Sequence, residues 1–162
     1  MKIGRITVSD RASAGIYEDR SGPEIENVLR EFLGGAANFE SAVVPDEIDL
    51  ISATLKKFAD ELKCDLVVTT GGTGISTRDV TPEATKMVLE KELPGFGEIM
   101  RMRSFATVRT AILSRAAAGT RGQTLIVNLP GKPSAVRECL EILAPAICEG
   151  MAHLRGERPH EK

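Results

Sequence analysis

Apolar positions recur along this chain with two periods. Residues 3–8 form a short β-rich run, and residues 39–44 form a second, ended by Pro45. Between them Ile25, Val28, Leu29, Phe32 and Leu33 fall at i, i+3, i+4, i+7 and i+8, one face of a helix. Ser21 and Glu24 have capping-box spacing, Pro23 suits the first turn, and Gly34-Gly35 stops the helix. Ile48, Ile51, Leu55, Phe58, Ala59 and Leu62 repeat the helical spacing as far as Lys63. Residues 65–70, DLVVTT, have a continuous apolar centre, which suits a strand covered on both faces.

The second half is predicted less evenly. Thr81-Pro82-Glu83 starts a helix through Leu89, Pro94-Gly95 breaks the chain, and residues 96–106 read as helical. Residues 111–119 fit either a short helix or one arm of a hairpin turning at 120–122. TLIVNL, residues 124–129, is the clearest late strand, and residues 130–134 turn into a last helix. That helix carries Val136, Cys139, Leu140, Leu143, Ile147 and Met151 on its apolar face, and Pro145 should kink it. Strand and helix alternate, which predicts an α/β fold: a three-layer sandwich around a mostly parallel sheet with right-handed crossovers. Residues 1–154 read as one domain and residues 155–162 as a polar tail. Ligands of such sheets bind beyond the C-terminal ends of strands. The loops at 9–22, 71–81 and 130–134 occupy those places.

Composition narrows the chemistry. Lys plus Arg is 21 and Asp plus Glu is 23, and this near-neutral balance excludes a generally basic protein that coats nucleic acid. Aromatic residues are only 4%, too few for base-stacking platforms. Cys64, Cys139 and Cys148 form no C-x-x-C pair, which favours a reducing compartment. His153 and His160, the only histidines, stand near the C-terminus, so a zinc site or a Ser-His-Asp triad is not expected. The first residues carry no signal-peptide core, and no apolar run reaches the length of a membrane span. A soluble, cytoplasmic protein with neither membrane nor nucleic-acid partners is the expectation.

The run Gly71-Gly72-Thr73-Gly74-Ile75-Ser76-Thr77-Arg78-Asp79 lies between a buried strand and a helix start. Glycines let backbone N–H groups converge on an anion, the hydroxyls add donors, and Arg78 could pair a phosphate bidentately. A tight turn needing positive φ is the plainer reading. The run is neither Walker A nor the dinucleotide fingerprint, because no Gly-Lys-Ser/Thr follows and Thr77 stands where a third glycine belongs. Asp79 would repel a phosphate unless Mg²⁺ reversed the sign. Alternatively it caps the next helix or orients Arg78. Asp46, after the second strand, is likewise either a site carboxylate or a helix cap. Ser9, Asp10, Arg11 and Ser13 follow the first strand, where small residues admit a ligand and Arg11 and Arg20 can neutralise an anion. Gly131, Lys132, Pro133 and Ser134 open the last helix, whose N–H groups can hold an anion.

Three motifs together resemble one family. TTGGTGISTRDVTPEAT (residues 69–85) resembles the signature of molybdenum-cofactor biosynthesis proteins of the molybdopterin-binding fold. LPGKPSAV (129–136) is similar to their second signature, and VSDRASAGIYEDRSGP (8–23) to the N-terminal motif of the molybdopterin adenylyltransferase (Mog/MoaB-like) branch. The resemblance implies a homotrimer that joins molybdopterin to the adenylyl group of ATP with Mg²⁺, releases pyrophosphate and feeds a downstream molybdate insertase. It implies that Asp46 and Asp79 are the essential carboxylates, with Asp79 the candidate metal ligand. Gly71, Gly72, Thr73 and Gly74 would hold nucleotide phosphates, and Arg78, Thr81, Pro82 and Glu83 join the nucleotide and substrate set. Ser9, Asp10, Arg11 and Ser13 would shape the neighbouring pocket, with Gly131, Lys132, Pro133 and Ser134 on the pterin side. A non-catalytic pterin-binding or scaffolding protein of the same fold is the alternative. A nicotinamide oxidoreductase has only the α/β pattern in its favour.

Overall fold

A computed structural model describes residues 1–157; His160 and the end of the expected tail lie outside the described residues. The strands are β1 (Lys2–Val8), β2 (Asn38–Val44), β3 (Leu66–Thr70), β4 (Lys91–Glu92), β5 (Ala118–Arg121) and β6 (Thr124–Leu129). They form one sheet in the order β2-β1-β3-β6-β5-β4. Neighbours from β2 to β6 are parallel, while β5 runs antiparallel to β6 and β4 antiparallel to β5. The helices are α1 (Asp10–Ser13), α2 (Ser21–Leu33), α3 (Ile48–Lys56), α4 (Thr81–Lys86), α5 (Pro94–Phe105) and α6 (Pro133–Leu154). The expected α/β sandwich is therefore present.

Side chains alternate across a strand, so each central strand feeds two cores. Ile3, Leu66, Val68, Leu125 and Val127 pack on one side with Ile25, Val28 and Leu29 of α2 and Val136, Leu140 and Leu143 of α6. Ile6, Val8, Val67 and Ile126 face Ile51 and Leu55 of α3 and Ala84 beside them in α4. All five residues of β3 are buried, as its unbroken apolar centre predicted. Gly4 gives α3's extension room: a Cβ there would lie 2.2 Å from the Phe58 ring, in the π-helical turn Lys57–Glu61 that follows α3.

Several local expectations change. The loop at 9–22 contains α1, capped by Ser9, whose Oγ accepts from Ala12 N–H at 3.1 Å. Ser21 and Glu24 form no capping box. Asp19 takes that role, its Oδ1 accepting from Gly22 N–H at 2.9 Å, while Glu24 is drawn to Arg137 of α6 at 2.7 Å. Gly34 does end α2, in the left-handed region at φ 68°. Helix α4 stops at Lys86, and the two-residue β4 takes up the chain soon after. Residues 111–119 divide between both readings: a 3₁₀ turn, Arg109–Leu113, precedes the hairpin of β5 and β6. Helix α5 begins at Pro94, whose missing N–H costs nothing at a first turn. Helix α6 continues through Pro145.

Candidate functional site

The four parallel strands end side by side, and their outgoing loops are stitched together. Ser9 N–H donates to Val44 O at 2.9 Å, linking the ends of β1 and β2. Gly71 N–H donates to Leu129 O at 3.2 Å and Thr70 Oγ1 to Pro130 O at 2.7 Å, linking β3 to β6. Gly71 has φ 95°, and a Cβ there would stand 2.3 Å from Val8 O, so only glycine lets these loops meet. Beneath them lies a buried polar layer. Asn128 donates to Thr69 Oγ1 and Thr85 Oγ1, both at 2.9 Å, and accepts from Ala117 N–H at 3.1 Å. These bonds fix β3, β6, α4 and the chain entering β5 to one another.

Asp10 and Asp46 meet above this layer. Asp10 N–H donates to Asp46 Oδ2 at 2.9 Å, and Asp46 N–H donates to Asp10 Oδ1 at 3.0 Å. The carboxylate of Asp46 thus turns toward α1, and α3 has no side-chain cap, so the capping reading of Asp46 fails. Arg78 forks onto Asp10, with Nε to Oδ2 at 2.9 Å and Nη2 to Oδ1 at 2.8 Å. Its hydrogen bonds hold the Asp10 carboxyl below the usual aspartate range. Burial pushes Asp46 the other way, aided by the charges of Asp10 and Asp79 and opposed by the Asp10 N–H and Arg78.

Asp79 neither caps α4 nor pairs with Arg78. Its Oδ2 accepts from Ser76 N–H at 2.9 Å and Ser76 Oγ at 2.6 Å, closing the loop on itself, and α4 has no side-chain cap. The glycine loop runs between the two carboxylates. A Cβ on Gly72 would lie 2.9 Å from Asp46 Oδ1, and one on Gly74 would lie 2.8 Å from Asp79 Oδ2. Among the described residues, the N–H groups of Gly72, Thr73, Gly74 and Ile75 donate to no protein group. Unspent donors in a row are available to an anion.

Other predicted residues take supporting places. Thr81 is fully buried, and its Oγ1 donates to Gly71 O at 2.9 Å, so it holds the loop. Pro82 is buried in the first turn of α4. Glu83 pairs with Arg115, which lowers its carboxyl. Ser13 bonds back to Asp10 O at 3.0 Å, and Arg11 lies over the Tyr17 ring, 5.5 Å from its centre. Arg20 is exposed beside Glu18. Gly131, Lys132 and Ser134 line a cavity of about 430 Å³ with Thr73 and Gly74. Met100, Leu113 and Cys139 add apolar surface to its lining, and Arg101 and Glu138 add charge. Pro133 opens α6 beside it.

Arg115 was not marked by the sequence. Its N–H donates to Thr73 O at 2.8 Å, its Nε to Gly74 O at 2.7 Å and its Nη2 to Asp79 O at 2.8 Å, so one residue grips the glycine loop at three carbonyls. It stands 41 residues from Gly74 in a segment with ambiguous periodicity, and no local signal announces the contact.

Residues 4–149 match the family described as probable molybdopterin binding domain. The chain belongs to that family. A molybdopterin adenylyltransferase of Helicobacter pylori strain J99 is 59% identical over 145 residues, 90% of this chain and 82% of that protein. One from Escherichia coli K12 is 48% identical over 141 residues, 87% of this chain and 72% of that protein. The crystal structure of the molybdopterin biosynthesis enzyme MoaB from Thermus thermophilus is similar with a TM-score of 0.83 at 40% identity, covering 96% of this chain and 97% of that one. The resemblance carried by the three motifs and the fold read from the strand order thus lead to one family.

Proposed function

We propose that the protein is a molybdopterin adenylyltransferase. An oxygen of molybdopterin's terminal phosphate attacks the α-phosphorus of ATP, the new P–O bond forms, and the bond to the α–β bridging oxygen breaks. Pyrophosphate leaves with that electron pair. The observation that carries this reading is the row of unspent N–H groups at residues 72–75, flanked by the carboxylates of Asp46 and Asp79. Such transfer needs positioning and charge neutralisation rather than a nucleophilic side chain. The Helicobacter and Escherichia relatives named for this activity support it.

Gly72, Thr73, Gly74 and Ile75 would donate to the nucleotide phosphates, with Gly71 and Thr81 keeping the loop in place. The cavity beside Lys132 and Ser134 has a volume suited to a small heterocycle, and the Lys132 ammonium and Ser134 hydroxyl would suit its phosphate. Asp46 Oδ1 and Asp79 Oδ1 accept no hydrogen bond among the described residues. Such oxygens suit Mg²⁺, which is usually held by one or two carboxylates together with substrate phosphates. Bound there, Mg²⁺ would neutralise charge on the phosphates during transfer.

We further infer a homotrimer. Met102 is 66% exposed and Ile112 58%, with Val108 and Leu113 also exposed, an apolar stretch on α5 and the turn after it. Phe96, near the start of α5, packs partly buried against the core. Unpaired cysteines support a reducing, cytoplasmic setting. No helix among the described residues is long and apolar enough to cross a membrane. A molybdate insertase would receive the adenylylated product. Incubation with molybdopterin, Mg²⁺ and ATP labelled at the α-phosphate tests the reaction. Labelled adenylylated pterin is expected; molybdopterin binding without transfer would establish a carrier instead.

A further inference from the structure

The structure assigns Arg115 as the positioning residue that aims the donors of the glycine loop, an inference that rests on the adenylyl-transfer reading. A trans peptide is planar, with its C=O and N–H pointing in opposite directions. Thr73 O shares a peptide with Gly74 N–H, and Gly74 O shares one with Ile75 N–H. Arg115 binds both carbonyls, through its own N–H at 2.8 Å and its Nε at 2.7 Å. The N–H groups of Gly74 and Ile75 are therefore turned away from Arg115, and neither donates to a protein acceptor among the described residues. A third bond, Nη2 to Asp79 O at 2.8 Å, fixes the far end of the loop and with it the Asp79 carboxylate.

The guanidinium is itself held. Glu83, in the first turn of α4, pairs with Nη1 and sets the plane of the fork. The main chain just after Arg115 is held by the buried Asn128, which accepts from Ala117 N–H at 3.1 Å. The orientation of the loop is thus imposed from the sheet through Arg115. Lysine cannot replace this, because an ammonium on a flexible stem lacks the planar fork that reaches Gly74, Asp79 and Glu83 together. The positive charge behind the two peptides also strengthens their dipoles toward an anion on the opposite side.

Steady-state kinetics of Arg115→Met and Arg115→Lys, with melting temperatures, test this. In Arg115→Met the KM for ATP should rise about tenfold or more and kcat should fall about a hundredfold, because misplaced donors serve ground and transition states poorly. The KM for molybdopterin should move less than about twofold. A residue that only stabilises the fold would lower the active fraction and leave both KM values in place. Arg115→Lys should give a KM for ATP between wild type and Arg115→Met, and it decides the matter if the methionine variant does not fold. An unchanged KM for ATP in either folded variant, or equal rises for both substrates, overturns the assignment of Arg115. An inactive wild-type protein would overturn the adenylyl-transfer reading itself, which is a different result.

Discussion

Asp10 and Asp46, 36 residues apart, each accept the other's backbone N–H on a carboxylate oxygen. Two like charges are brought together by this exchange and then treated unequally. Arg78 forks onto Asp10 and keeps it ionised. Asp46 is half-buried, feels the charges of Asp10 and Asp79, and has its carboxyl raised above the usual value. The site therefore keeps a strained negative charge next to Gly72, where a cation-bearing polyphosphate would relieve it.

Asp46→Asn should stabilise the protein while abolishing transfer. The folded carboxyl is raised relative to the unfolded one, so the folded state binds the proton more readily. The buried charge destabilises the fold at pH above the folded value, and that cost is relieved as pH falls through it. Asparagine removes the charge and still offers an oxygen to Asp10 N–H. At pH 7 the melting temperature should rise, by about 2–4 °C for each kcal/mol relieved in a chain of this size, and the gap should close toward acid. A melting temperature at or below wild type at pH 7 would contradict this account.

If Asp46 serves the proposed transfer, the acid limb of kcat/KM should follow it, because its ionised form would be the one to pair with a metal–nucleotide. Activity then falls as pH drops through a value above the ordinary aspartate range, while Asp10 remains charged. Asp10→Asn removes a neighbouring negative charge and frees Arg78, and both changes favour ionised Asp46. The limb should move to lower pH in that variant. A limb that stays in place or moves up would assign it to another group.

The parts of this molecule visible in the sequence were those with local causes. β3 and β6 announced themselves by continuous apolar runs, α2 by its apolar face and Gly34. The three loops followed from strand ends alone, because a parallel sheet places successive C-termini on one edge. What stayed hidden depended on partners distant in the chain. The capping box at Ser21 failed because Arg137 attracts Glu24 across 113 residues. Asp46 and Asp79 could each be read locally as a helix cap or a site carboxylate, and only the fold shows that their carboxylates turn to Asp10 and Ser76. Arg115 had no motif at all, since its three acceptors are carbonyls, which any sequence supplies. β4, two residues long, exists only because β5 offers it an edge.

Substitutions at two glycines should separate loop strain from loop function. Gly74 does not need a left-handed backbone, and a Cβ there meets only Asp79, at 2.8 Å from Oδ2. Gly74→Ala should keep stability within about 1 kcal/mol and still reduce turnover at least about tenfold, by displacing that carboxylate. Gly72 has φ 65°, and its Cβ would lie 2.3 Å from the buried Thr81 Oγ1. Gly72→Val should therefore cost more than the roughly 1–2 kcal/mol of left-handed strain alone and abolish ATP binding. Calorimetric titration with ATP on both folded variants provides the check; full affinity in Gly72→Val would reduce the loop to a turn.

Asp79→Asn isolates the charge that closes the loop. Asp79 Oδ2 holds Ser76 N–H and Oγ, and an amide oxygen can keep both bonds in the same shape. Stability should change by no more than about 1–2 kcal/mol, the range for a weakened local hydrogen bond. Turnover should fall by about two to three orders of magnitude, because losing one group that stabilises transition-state charge typically costs roughly 3–4 kcal/mol. Molybdopterin binding should persist, since the cavity beside Lys132 and Ser134 is built mainly by other segments. Ser76→Ala is the necessary control. It deletes the Oγ bond and leaves the carboxylate, so a loss of similar size there would make the closed loop, rather than the charge, the essential feature. With Ser76→Ala near wild type and Asp79→Asn nearly inactive, the charge is isolated. A titration with Mg²⁺ then divides its two uses. Recovery of turnover at high Mg²⁺ identifies weakened metal placement, whereas a deficit independent of Mg²⁺ identifies orientation of the glycine loop by the carboxylate. A folded Asp79→Asn protein with near-normal adenylyl transfer would falsify both.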